Sequence, residues 1–168
     1  MTKPPTTLGA IFAGGLFQVG YVFPKAATAL DDLRALLCAG EFTQFKDAPV
    51  HTQYYRGQPM ESRQNLAFGF AGPLNIEVVE PVAGVNIYSS FLDENRAGGL
   101  HHLAWKVSDM NLAIEAMLAA GHQQVQSGCF GVATRFGTDR ITSPWHWESG
   151  GFCEVAGAER GSARSRPH

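Results

Sequence analysis

Leu16-Phe17-Gln18-Val19-Gly20-Tyr21-Val22-Phe23 and Leu100-His101-His102-Leu103-Ala104-Trp105-Lys106-Val107 are two versions of one pattern. Written one above the other, they pair apolar with apolar, aromatic with aromatic and small with small, at an offset of half the 168-residue chain. Self-similarity at a fixed offset signals a repeated structural unit and takes precedence over any local reading. Each stretch is followed by a helical pattern, Ala26 to Ala39 and Asn111 to Ala120, and each pattern runs into a glycine, Gly40 or Gly121, as helix C-termini commonly do. Ser108-Asp109 supplies an N-cap for the second helix, because a short polar side chain there accepts from the unpaired amides of the first turn.

Strand-like runs follow each helix. They are Phe42 to Phe45, Gln53 to Tyr55, Asn65 to Phe70 and Leu74 to Val79 in the first half, then Gln123 to Gln126, Val132 to Phe136 and Phe152 to Val155. The expected fold class is therefore α+β: two βαβββ modules, about 15–81 and 100–156, forming one curved mixed sheet around a pocket with helices outside. Residues 84–99 join them through a short helix, Tyr88 to Glu94, closed by Gly98-Gly99. Residues 1–158 are expected to form a single domain, and 159–168, which lack apolar periodicity, a disordered tail.

Composition narrows the function. Hydrophobic residues make up 45% of the chain, enough for a proper core. The 13 basic and 15 acidic residues nearly cancel, and no Lys/Arg cluster precedes the tail, which argues against nucleic acid and for a small-molecule partner. Three cysteines, Cys38, Cys129 and Cys153, have no CxxC spacing and are expected as buried or half-buried thiols in a cytoplasmic protein. The apolar run Leu8 to Phe23 contains glycines and Gln18. It is too short to span a bilayer and reads as a buried strand, so no membrane association is expected.

Alternation along the strands selects the site. Phe17, Val19, Tyr21 and Phe23 fall on one face of the first strand, with Gln18, Gly20 and Val22 on the other. The second copy puts Leu103, Trp105 and Val107 on the packing face and His102 with Ala104 on the open one. In Leu74 to Val79, Glu77 opposes Leu74, Ile76 and Val78; in Phe152 to Val155, Glu154 opposes Cys153 and Val155. Each module thus offers one residue from its first strand and one carboxylate from its last. A lone strand Gln or His is ordinarily structural, but a carboxylate on such a face is costly unless it is paired or bound to a cation, and the repeat places two at matching ends. Gln18, Glu77, His102 and Glu154 form an amide, imidazole and carboxylate set suited to Zn, Ni, Co, Mn, Mg or Fe.

The stretches Asn75-Ile76-Glu77-Val78-Val79-Glu80-Pro81 and Gly99 to Asp109, with the helix between them, resemble the glyoxalase/bleomycin-resistance/dioxygenase (vicinal oxygen chelate) superfamily, and most closely its methylmalonyl-CoA epimerase-like branch. The resemblance spans about Leu16 to Val155, and Gly99-Leu100-His101-His102-Leu103-Ala104-Trp105 is its most specific part. It implies a divalent metal held by Gln18, Glu77, His102 and Glu154, removal of a proton beside a carbonyl that the metal polarises, and a homodimer. Glu154 is the expected base, with Glu61 or Glu77 as the alternative. The epimerase branch uses a second glutamate where Gln64 or Asn65 stands here; neither is basic, although Glu61 lies close by.

Tyr54 and Arg56 are read as a clamp for a substrate carboxylate or phenol, against the plainer reading of an edge strand with a solvated Arg. Trp145, in Trp145-His146-Trp147-Glu148, is read as part of a lid, against a packed loop. His101 should point away from the pocket. The expected activity is that of a metal-dependent isomerase, epimerase or lyase on a small carbonyl compound. A non-catalytic drug-binding protein is the alternative, and an extradiol-type dioxygenase, which needs two His at the metal, is the third.

Overall fold

The computed structural model describes residues 9, 12–48, 50–107, 109–130, 134–137 and 151–156, without the side chains of 110, 129, 130, 134–137 and 151–156. Trp145 and the tail 159–168 lie outside the described residues. The elements are β1 (Leu16–Val22), α1 (Leu30–Leu37), β2 (Thr43–Phe45), β3 (Val50–Tyr55), β4 (Gln58–Met60), β5 (Arg63–Ala71), β6 (Leu74–Ala83), α2 (Ile87–Glu94), β7 (Gly99–Val107), α3 (Met110–Ala119), β8 (Gln126–Phe130), β9 (Thr134–Gly137) and β10 (Gly151–Ala156). The α+β reading holds, with few helices and curved sheets of mixed strands.

The expected single sheet is divided among the described residues into two, ordered β10-β7-β1-β6-β5-β2 and β4-β3-β8-β9. The cause is local. Arg56 and Gly57 both adopt positive φ, 51° and 77°, which turns the chain back on itself, and β4 pairs with β3 as a hairpin between β2 and β5. The other edge of β3 is taken by β8 from the second half of the chain, so β3 leaves the main sheet.

β1 sits at the centre of the larger sheet, parallel to β6 on one side and antiparallel to β7 on the other. The first strands of the two repeats are therefore neighbours. On one face Ala67 and Val78 pack with Ala26, Ala29, Leu30 and Leu33, with Tyr21 and Phe23 beside them. α3 packs Ala113 and Met117 on Val107, a residue of the same face. α2 behaves differently: Tyr88, Phe91 and Leu92 pack with Val22, Leu66 and Val79, which belong to the opposite face, the one carrying Gly20 and Glu77. The linker helix thus closes one end of the expected pocket with apolar side chains.

Helix ends differ from expectation where a tighter contact decides. Ala26–Thr28 form a separate 3₁₀ turn, and α1 ends on Cys38 in the left-handed conformation, φ 51°, instead of at Gly40. That position leaves the Cys38 thiol exposed, not buried as expected. Asp109 caps α3 by accepting from the Leu112 amide. The expected strand at 123–126 begins only at Gln126.

α2 is held by a cap that is itself core. Asn86, fully buried, accepts through Oδ1 from the Tyr88 and Ser89 amides, while its own amide donates to the Ser89 hydroxyl. Reciprocal capping of this kind satisfies otherwise orphaned donors. Asn86→Ala is expected to cost about 2 kcal/mol, the upper end for caps because the amides are buried; a lowered urea midpoint at unchanged slope checks this.

Candidate functional site

The ladders of β1 arrange the candidate residues in two rows. In one, Gly20 is the Cα partner of Glu77 on β6 and of His102 on β7. In the next, Gln18 partners Asn75 and Ala104, and Ala104 partners Glu154 on β10. Residues paired across a ladder project to the same face, so Gln18, Glu77 and His102 share one, and Glu154 stands at a matching register position. The Glu154 side chain is outside the described part of the structure.

Burial is deeper than an open pocket would give: Gln18, Glu77 and His102 are 2%, 3% and 2% exposed. Nε2 of His102 lies 3.1 Å from Oε2 of Glu77. The imidazole reaches that carboxylate by crossing over Gly20, where a built Cβ would fall among the ring atoms Cε1 and Nε2. Glycine here is a packing requirement. The Gln18 side chain donates from Nε2 to Asn75 Oδ1 at 2.8 Å, and its Oε1 is buried without a hydrogen-bond partner among the described residues.

His101 departs from the expectation that it points away. The register steps from Gly20↔His102 to Tyr21↔Leu100, so His101 is unpaired in a β-bulge, which suspends alternation. Its Nδ1 lies 3.0 Å from Nδ1 of His102, and its ring packs against Phe91 and Tyr88. Burial, with the adjacent His102 as a smaller contributor, lowers its pKa to about 3 against a hydrogen bond to the Ile87 backbone that raises it. His101 is therefore neutral.

Among the described residues no three His, Cys, Asp or Glu side chains gather within reach of one ion. The amide of Gln18 shares the face of Glu77 and His102. Amide oxygen, imidazole nitrogen and carboxylate form an acceptor set that fits a divalent cation, and the orphaned Gln18 Oε1 fits the same purpose.

The other sequence candidates lie on other elements. Tyr54 lies on β3 and Arg56 in the β3–β4 turn, both on the smaller sheet; the Arg56 guanidinium rests over the Tyr55 ring at 5.2 Å, and the Tyr55 hydroxyl meets Ser90 Oγ. Glu61 is exposed, whereas Gln64 is buried, accepting from the Ser62 hydroxyl. Asn65 donates to Glu80 and accepts from the Asp47 amide. The sequence reading passed over Asn75, although its place two residues before Glu77 on the same strand puts it on the same face.

The family model described as the Glyoxalase/Bleomycin resistance protein/Dioxygenase superfamily matches residues 17–138, and the chain belongs to that superfamily. A solved structure similar to it is methylmalonyl-CoA epimerase from Mycobacterium tuberculosis, 17% identical, with a TM-score of 0.48 over 78% of this chain and 83% of that one. Among curated proteins none matches significantly.

Gly20→Ala is expected to displace the His102 ring and break its contact with Glu77, costing about 1–3 kcal/mol as overpacking does. Gly40→Ala, where the nearest atom to a built Cβ is 3.9 Å away, is the control. Denaturant titration of both variants, with imidazole chemical shifts for His102, checks the difference.

Proposed function

We propose that the protein is a metal-dependent isomerase, epimerase or lyase that moves a proton beside the carbonyl of a small-molecule substrate. The observation that carries this reading is the gathering of ligand-type groups on one buried face: Gln18 Oε1 without a partner among the described residues, and His102 Nε2 at 3.1 Å from the Glu77 carboxylate. A buried set of this kind is costly by itself and favourable around a cation. Gln18, Glu77 and His102, completed by Glu154, would hold a divalent metal. When bound, such an ion supplies Lewis-acid stabilisation of the negative charge that develops on a carbonyl oxygen as the neighbouring carbon loses its proton.

Glu154 is assigned as the base that accepts that proton and returns it, with Glu77 as the alternative. Its register position beside Ala104, in the row of Gln18, supports the assignment. Gln64, buried where a second base is expected in an epimerase, can orient a substrate through its amide but not ionise. One carboxylate serving both proton removal and return therefore suits this chain better than a two-base scheme. α2 and Val22 close one end of the face with apolar groups, which limits water there and favours proton return to substrate. Tyr54, Arg56 and Trp145 remain the proposed substrate contacts. A homodimer in the cytoplasm is the proposed setting; no helix among the described residues is long and apolar enough to cross a membrane.

Elemental analysis of protein purified without added metal is expected to show close to one transition metal per chain, falling sharply in His102→Ala. Metal-free wild-type protein would instead assign the His102–Glu77 contact to an imidazolium pair and favour a non-catalytic binding protein. With metal present, α-proton exchange of a carbonyl substrate into deuterated solvent should fall by about 10² to 10⁴ in Glu154→Gln, which keeps size and an oxygen donor but removes basicity. Exchange undiminished in that variant would transfer the role to Glu77.

A further inference from the structure

We propose that Asn75 is a positioning residue: it fixes which end of the Gln18 amide faces the site, through a hydrogen-bond relay anchored on the Gly69 carbonyl. The proposal rests on the reading of Gln18 as a metal ligand and adds the device that makes an amide usable as one. The two ends of a carboxamide have nearly the same shape and opposite hydrogen-bonding character, so its orientation is decided by its partners. An amide nitrogen turned toward a cation is repulsive. A glutamine ligand therefore needs its flip state set by the protein.

The relay starts at a group with no ambiguity. A backbone carbonyl only accepts, and Gly69 O receives a bond from Asn75 Nδ2 at 3.2 Å. The other end of Asn75 must then be Oδ1, which also only accepts, and it receives Gln18 Nε2 at 2.8 Å. That leaves Oε1 as the free end of Gln18, buried and unpartnered among the described residues. Reversing both amides would set Asn75 Oδ1 against Gly69 O, acceptor against acceptor, at a site where Asn75 is 4% exposed and water is not at hand to repair the loss.

Register makes the relay possible. Asn75 is the Cα partner of Gln18 across the parallel β1–β6 ladder, and Glu77 stands two residues further along the same strand. One strand thus contributes a carboxylate to the site directly and the orientation of a second donor indirectly. Partners behind a metal ligand commonly change affinity by about 10- to 100-fold when removed.

The test is a double-mutant cycle on the full chain. Zn²⁺ or Co²⁺ affinity is measured by chelator competition in wild type, Asn75→Leu, Gln18→Glu and the double variant. Glutamate offers oxygen at both ends, so orientation ceases to matter in that background. Asn75→Leu should lower affinity about 10- to 100-fold when residue 18 is Gln and within about twofold when it is Glu, the range for uncoupled changes. Equal losses in both backgrounds would show Asn75 to be merely structural and would overturn the proposal, as would no loss in either.

A second readout needs no metal and no variant that must fold. In ¹⁵N,¹³C-labelled wild-type protein, a scalar coupling across the hydrogen bond from Gln18 Nε2 to the Asn75 side-chain carbonyl should be present; an Nε2 proton pair exchanging freely with solvent would overturn the relay. Wild type that shows this coupling yet binds neither metal would sink the metal-dependent function while leaving the orientation of Gln18 established. The two failures are thereby separated.

Discussion

The imidazole of His102 crosses β1 in the space that Gly20 leaves empty, and the site depends on that crossing. Gly20 is paired on one side with Glu77 and on the other with His102, so these two side chains flank a position with no side chain of its own. Any Cβ there would occupy the ring's place. The constraint acts through the fold as well as the site, because β1 is the strand on which the two repeats meet. A change that moved β1 relative to β7 by one residue would turn His102 to the opposite face, since the side-chain period of a strand is two.

Burying this polar face creates an electrostatic problem that the surrounding structure meets in part. The capping box of Asn86 holds α2 over Val22 and Val79, and α2 in turn supplies Tyr88 and Phe91 to the walls around His101. His101, kept neutral by burial, lies with its Nδ1 3.0 Å from Nδ1 of His102, whose Nε2 meets Glu77. Asn75 orients Gln18 by a relay that begins at the Gly69 carbonyl and ends at Gln18 Oε1. Rigid backbone groups make good anchors because their hydrogen-bonding role cannot invert.

The same scaffold supports catalysis and simple binding, and what distinguishes them lies in the charge and protonation of a few buried groups. Here the Glu77 carboxylate is enclosed with the His102 imidazole and the Gln18 amide, whereas Gln64 fills a neighbouring part of the interior as a neutral amide bonded to Ser62. The strand position of Glu154 lies in the row of Gln18, beside that group.

Much of this was legible in the residues. The repeat placed the first strands of the modules, and period-two alternation put Gln18, Glu77 and His102 on one face, because a strand's side-chain direction depends only on local backbone geometry. The helical patterns and the Asp109 cap were local in the same sense. What alternation could not reveal was the bulge at His101, since an extra residue in one strand is defined only by its partner strand. Nor could it reveal that β3 would pair with β8, which follows from the turn at Arg56-Gly57 and from long-range strand pairing. The place of α2 against Val22 and Val79 depends likewise on packing between segments distant in sequence. The sequence by itself determined which residues face the interior together; only the tertiary structure decided which atoms of those residues face one another, because the orientation of an amide or a ring answers to partners brought in from other strands.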